Sequence, residues 1–126
     1  MEKPSELLAD LAGLGRQLRE HVPAVYEAYG TLHRAAMADG ALPARTKELI
    51  ALAIAVTREC DGCVASHARA AARRGATTEE VAEAMGVAIL MNGGPGTVWG
   101  PRALHAFEEA KAAMGAGPNP AAGEAQ

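Results

Sequence analysis

The sequence predicts an all-α fold of six helices, and three observations carry that prediction. Apolar residues recur at helical spacing through most of the chain. No segment alternates apolar and polar residues over a convincing length, as a half-buried strand would. Proline, glycine and threonine punctuation then divides the chain into pieces of helix size.

The first helix spans about residues 4–20, opening at Pro4 and Ser5 and aligning Leu7, Leu8, Leu11, Leu14 and Leu18 in one stripe. His21 to Pro23 breaks it. A second helix runs from Pro23 to Met37 and stops at the turn-forming pair Asp39-Gly40. Pro43 starts a third at its first helical position, and this one reaches Thr57. Its Leu49 to Val56 half is apolar on every side, which predicts a central, fully buried element. A break over Arg58 to Gly62 leads into a fourth helix that reaches Arg74 and is closed by Gly75. Thr77 or Thr78 caps the fifth, with Glu79 and Glu80 in the first turn, where the helix dipole favours anions. It ends at Asn92. Gly93-Gly94-Pro95-Gly96 is expected to be a hairpin loop, before a sixth helix from Thr97 or Pro101 to Met114. The stretch from Gly115 offers nothing to pack and predicts a mobile tail. Residues 1–114 are thus expected to form a single domain and 115–126 a tail.

Composition narrows the function classes. Twelve Lys and Arg against 15 Asp and Glu, with no basic cluster, argue against a nucleic-acid partner. No run approaches the roughly 20 apolar residues of a membrane span, and the acidic start MEKPSELLADL does not resemble a signal peptide, so a cytoplasmic protein is expected. Hydrophobic residues make up 49% but aromatics only 3%, so the core is built from small side chains. A subunit with so thin a core is expected to share apolar surface with copies of itself. Met85, Met91 and Met114 read as gap fillers in that core. The sole indole, Trp99, suits either a pocket lining or an interface plug.

The chemically informative segment is ELIALAIAVTRECDGCVASH, from Glu48 to His67. Cys60, Cys63 and His67, related by three and four residues, would fall on one helix face within about 60° of each other. If the chain reverses near residues 57–58, Glu48 and His67 stand at the same height on adjacent antiparallel helices. Both cysteines lie at the start of the fourth helix, where unpaired N–H groups and the dipole favour a thiolate. A Cys-X-X-Cys pair there can close a disulfide, and its thiolate attacks peroxides or other disulfides. Glu48, acting through His67, supplies the base an activated thiol requires. Two other assignments fit the same residues. Cys60, Cys63, His67 and Glu48 together form a plausible zinc donor set. Glu48 alone fits a solvated carboxylate paired with Arg45 or Lys47. His21, His33 and His105 have no partner at ligand spacing and read as surface or cap residues. Gly93 to Gly96 lacks the strand and the Lys-Ser/Thr of a phosphate loop.

These residues carry a family likeness. From about Val22 to Ala110, through LPARTKELIALAIAV, the C-x-x-C-x-x-x-H and RRGATTEEVAEAMGVAILMNGGP, the chain resembles the carboxymuconolactone decarboxylase-like superfamily, in its alkylhydroperoxidase D-like branch. Glu48 falls twelve residues before Cys60, as in that branch. The decarboxylase relatives lack the cysteine pair. The resemblance implies an all-α subunit in a homotrimer or homohexamer, and thiol-dependent reduction of a small-molecule hydroperoxide, with no cofactor and no metal. It also implies that Cys63 is peroxidatic, that Cys60 resolves the sulfenic acid, and that Glu48 and His67 relay protons. Cys63 is expected to lie deeper in the helix, one turn from His67, and Cys60 nearer the exposed turn. Cys60 would then pass the disulfide to a reducing partner such as a thioredoxin-like or lipoyl-bearing protein. In one respect the chain departs from the well-studied peroxidases: Gly62 stands where they carry a second histidine. The superfamily also contains enzymes of other substrates, and a purely structural helical protein would use the same fold.

Overall fold

The structure, a computed structural model, describes residues 1–115. These form six helices: α1 Pro4–His21, α2 Pro23–Met37, α3 Ala44–Thr57, α4 Asp61–Arg73, α5 Thr78–Asn92 and α6 Gly94–Gly115. No strand occurs among the described residues. The tail expected from Gly115 onward begins inside α6, and residues 116–126 lie outside the described residues.

Helices α3 to α6 pack as two hairpins around one core. That core is mostly alanine, filled out by Leu52, Val56, Val64, Val81, Met85 and the aromatic Phe107, which is fully buried. Local chemistry sets the hairpin ends. Gly75, at φ +82, closes α4: its N–H donates to Ala72 O, and the Ala76 N–H donates to Ala71 O. This paired ending needs a left-handed residue just past the helix. Thr77 then caps α5 reciprocally, its side chain accepting from the Glu80 N–H while the Glu80 carboxylate accepts from the Thr77 N–H.

Several expectations need correction. The Gly93 to Gly96 stretch is not a loop: only Gly93 separates α5 from α6, and Gly94 to Gly96 form the first turn of α6. Pro95 fits there because first-turn N–H groups have no partner within the helix. Gly96 fits because a Cβ at that position would sit 2.9 Å from the Ile89 backbone, so its absence lets the two helices approach closely. Pro101 lies inside α6 rather than at its start. Pro43 is the N-cap of α3, not its first helical residue, and the Asp39 carboxylate accepts from the Ala44 N–H at 2.6 Å. The break before α4 ends at Cys60, not Gly62.

The Leu49 to Val56 half of α3 is central but not fully buried, because Ile50 and Ile54 face outward. Being apolar all round does not say whether the cover comes from the same subunit. Met85 fills the core as expected, whereas Met91 and Met114 are exposed. Helices α1 and α2 contribute no buried residue. The α1 stripe leaves Leu11, Leu14 and Leu18 largely exposed, and Val25, Tyr29 and Leu32 of α2 are exposed as well. No described helix is long and apolar enough to cross a membrane.

Candidate active site

The α3–α4 hairpin builds the site. At the end of α3 the Glu59 N–H donates to Val56 O and the Cys60 N–H to Ala55 O, with Glu59 left-handed at φ 53. This is the pattern seen at Gly75, made here by a residue with a side chain, which costs about 1–2 kcal/mol. Cys60 therefore closes one helix and caps the next. Its Sγ accepts from the Cys63 N–H at 3.3 Å, and its carbonyl accepts from the Val64 N–H at 2.9 Å. The sequence expectation of a disulfide is met: Cys60 and Cys63 are joined, their Cα atoms 5.2 Å apart.

Across the hairpin, His67 Nδ1 and Glu48 Oε2 are 2.8 Å apart. Against an ionised carboxylate, which only accepts, Nδ1 would be the donor and Nε2 would be left to take a proton. Glu48 is 3% exposed and is the only buried charged residue among those described. Burying an unpaired carboxylate is costly, so its pairing with the imidazole is a specific arrangement rather than a surface accident. The solvated-carboxylate alternative is excluded by its own proposed partners. Arg45 pairs with Glu80 at 3.6 Å, and Lys47 Nζ donates to the Ala36 and Ala38 carbonyls that end α2.

Two further placements add to what the sequence leads one to expect. Cys63, in the first turn of α4, is the more exposed cysteine, and Cys60 is half-buried between the two helices. Cys63 thus lies deeper along the helix, as expected, but Cys60, whose N–H donates to Ala55 O at the end of α3, is the less exposed of the two. His33 of α2 is exposed, as expected, but its ring also stacks on His67, with centroids 6.3 Å apart and planes 21° from parallel. No local spacing links it to the motif. At Gly62, an added Cβ would lie 2.7 Å from Leu11 Cδ1, so α1 fills the space that a second histidine would claim.

With the sulfurs joined, the thiolate pair required by the zinc alternative is consumed. Among the described residues, no three or more His, Cys, Asp or Glu side chains are grouped to hold a metal ion. Trp99 lines a cavity of about 140 Å³ with Arg102 and His105 of α6, Leu7 of α1, and Asp61 and Val64 of α4. Arg102 lies over the indole at 4.8 Å. Helical phase turns Asp61 more than about 100° away from both Cys63 and His67, while Val64, three residues before His67, lies between the two faces.

The family model of the carboxymuconolactone decarboxylase family matches residues 23–112. An uncharacterized protein of Cupriavidus necator is 41% identical over 107 residues, covering 82% of this chain and 95% of its own length. An uncharacterized protein of Haemophilus influenzae is 40% identical over 111 residues, covering 88% of this chain and 95% of its own. The crystal structure of a carboxymuconolactone decarboxylase family protein from Legionella pneumophila, in its apo form, superposes with a TM-score of 0.83 at 38% identity. It covers 86% of this chain and 96% of that one.

Proposed function

The chain belongs to the carboxymuconolactone decarboxylase family, and from that premise we propose that it is a thiol-dependent hydroperoxide reductase of the alkylhydroperoxidase D-like kind. The observation that carries this is the buried Glu48 carboxylate bonded to His67 beside a Cys-X-X-Cys disulfide at a helix N-terminus. A structural helical protein has no need of that arrangement.

In the reduced protein, the Cys63 thiol gives its proton to Nε2 of His67, whose Nδ1–H is held by Glu48. The thiolate attacks one peroxide oxygen, the O–O bond breaks, and the departing alkoxide takes the proton back from the imidazolium. Cys63 is left as a sulfenic acid. Cys60 attacks that sulfur, water leaves, and the disulfide forms. The exposure of Cys63 supports its role as the attacking thiol, since substrate reaches it without any movement of α4. A dithiol reductant supplies two electrons to restore both thiols. Ile50 and Ile54 of α3 and Leu14 and Leu18 of α1 are the apolar surface that a homotrimer or homohexamer would cover. Light scattering at micromolar concentration is expected to show the assembly, and a stable monomer would contradict it.

Single-turnover peroxide consumption with dimedone trapping tests the chemistry. Cys63→Ser is expected to abolish consumption, and Cys60→Ser to react once and hold a sulfenic acid on Cys63. Glu48→Gln and His67→Gln are each expected to slow the step by roughly 10²-fold or more. Parent-like consumption by all four variants would remove the assignment. Free thiols that persist through peroxide treatment, with bound zinc in the purified protein, would replace it by the metal site.

A further inference from the structure

The two sulfurs of the disulfide are not equivalent. Cys60 is half-buried between the end of α3 and the start of α4, whereas Cys63 is exposed on the first turn of α4. Cys60 Sγ also holds the N-cap position and accepts the Cys63 N–H at 3.3 Å. Negative charge on that sulfur would meet a hydrogen-bond donor already aimed at it, as well as the positive end of the helix dipole.

Thiol–disulfide exchange proceeds by attack of a thiolate on one sulfur while the other leaves as a thiolate. Both access and leaving-group stability decide which sulfur is attacked. Access favours attack on Cys63, and the cap hydrogen bond favours Cys60 as the departing thiolate. We infer that the reductant's thiol joins Cys63 and that Cys60 is the leaving group, opposite to the expectation that Cys60 hands on the disulfide. The inference rests on the proposed redox cycle for its purpose, but the step itself needs no peroxide.

The exchange balances as follows. A thiolate of a dithiol reductant attacks Cys63 Sγ, the Cys60–Cys63 bond breaks, and the bonding pair stays on Cys60 as a capped thiolate. The reductant's second thiol, as thiolate, then attacks the reductant's own sulfur in the mixed disulfide. Cys63 leaves as a thiolate, and the reductant ends as a disulfide, oxidised by two electrons. Solvent protons complete the thiols. Cys63 thus meets peroxide and reductant in turn from the same open face, and Cys60 exchanges bonds only with Cys63.

Glutathione serves as a monothiol probe that cannot finish the exchange. The oxidised full-length protein is mixed with glutathione, quenched in acid and alkylated with N-ethylmaleimide. The peptide from Glu59 to Arg69, which contains both cysteines, is then sequenced by fragmentation. Glutathione on Cys63 with the maleimide on Cys60 is expected to exceed the opposite adduct by about tenfold. As a second measurement, Cys63 in the Cys60→Ser variant is expected to form a mixed disulfide with oxidised glutathione faster than Cys60 in the Cys63→Ser variant. Equal labelling, a majority on Cys60, or no adduct on either sulfur overturns the inference. A protein that labels as expected yet consumes no peroxide keeps the inference and loses the peroxidase assignment. One that consumes peroxide and labels on Cys60 does the reverse.

Discussion

Helices α3 to α6 and helices α1 to α2 are held by different means. From Ala44 onward the chain contains every buried residue among those described, a glycine-closed helix end and a full capping box. Before Ala44 no residue is buried, and neither α1 nor α2 has a side-chain cap at its N-terminus. The α1 start instead relies on α6, where the Glu109 carboxylate accepts from the Ser5 N–H at 3.0 Å. Arg19 of α1 lies over the Tyr26 ring of α2 at 5.2 Å, a surface contact that fixes orientation more than it stabilises. The first two helices are nevertheless amphipathic, and α2 supplies the ring stacked on His67. The division is therefore unequal: α3 to α6 hold the fold and α3 and α4 also build the site, to which α2 adds one ring.

The strongest way to break that division is through the core. Phe107→Ala removes the only buried aromatic ring and is expected to cost about 3–5 kcal/mol, a large part of what a domain of this size has. Leu14→Ala in α1 is expected to cost under about 1 kcal/mol in the isolated subunit, because the side chain is already 60% exposed. Urea unfolding of the two variants measures the contrast, and equal losses would mean that α1 is as much a part of the core as α6.

A smaller effect sharpens the comparison at the site. His33→Ala is expected to change stability by no more than about 0.5 kcal/mol, since His33 is exposed, yet to slow the single-turnover peroxide step several-fold. His33→Phe, which keeps a flat ring against His67, separates stacking from proton handling. Recovery of the rate by Phe assigns a stacking role, and failure to recover assigns a role to the imidazole nitrogens. An unchanged rate in both variants would leave α2 as a cover only.

The smallest expected effect is at the hairpin turn. Glu59→Gly is expected to raise stability by about 0.5–1 kcal/mol, because glycine takes the left-handed conformation at little cost while loosening the unfolded chain. Thermal unfolding checks it, and a loss of stability would show that the Glu59 side chain contributes more than its backbone strain costs.

What the sequence shows and what it hides follow the same division. The Glu48–His67 pair was legible because two helices joined by a short turn bring residues at equal distance from that turn to equal height. The Gly75 ending and the Thr77 cap were legible because each is a local hydrogen-bonding rule attached to particular residues. His33 was not, since its position beside His67 depends on how α2 lies across the bundle, which no spacing encodes. The first turn of α6 reads as a loop in the sequence because glycine and proline usually mark loops. Here one is tolerated by a helix start and another is required by the close passage of α5. The outward direction of Ile50 and Ile54 was hidden because a helix apolar on all sides carries no sign of which face its own subunit covers.

The turn between α3 and α4 also acts as a ruler. Only Arg58, Glu59 and Cys60 separate the helices, and Cys60 belongs to the endings of both. One residue added there would have to be absorbed by a helix and would rotate everything beyond it by about 100°. Glu48 would then lose His67, and the cap would pass to a residue without sulfur. Elsewhere in the chain, as between Met37 and Ala44, extra length would form a longer surface loop at small cost. The chain thus tolerates insertion where it only connects, and forbids it where twelve residues measure the distance from a buried carboxylate to a sulfur.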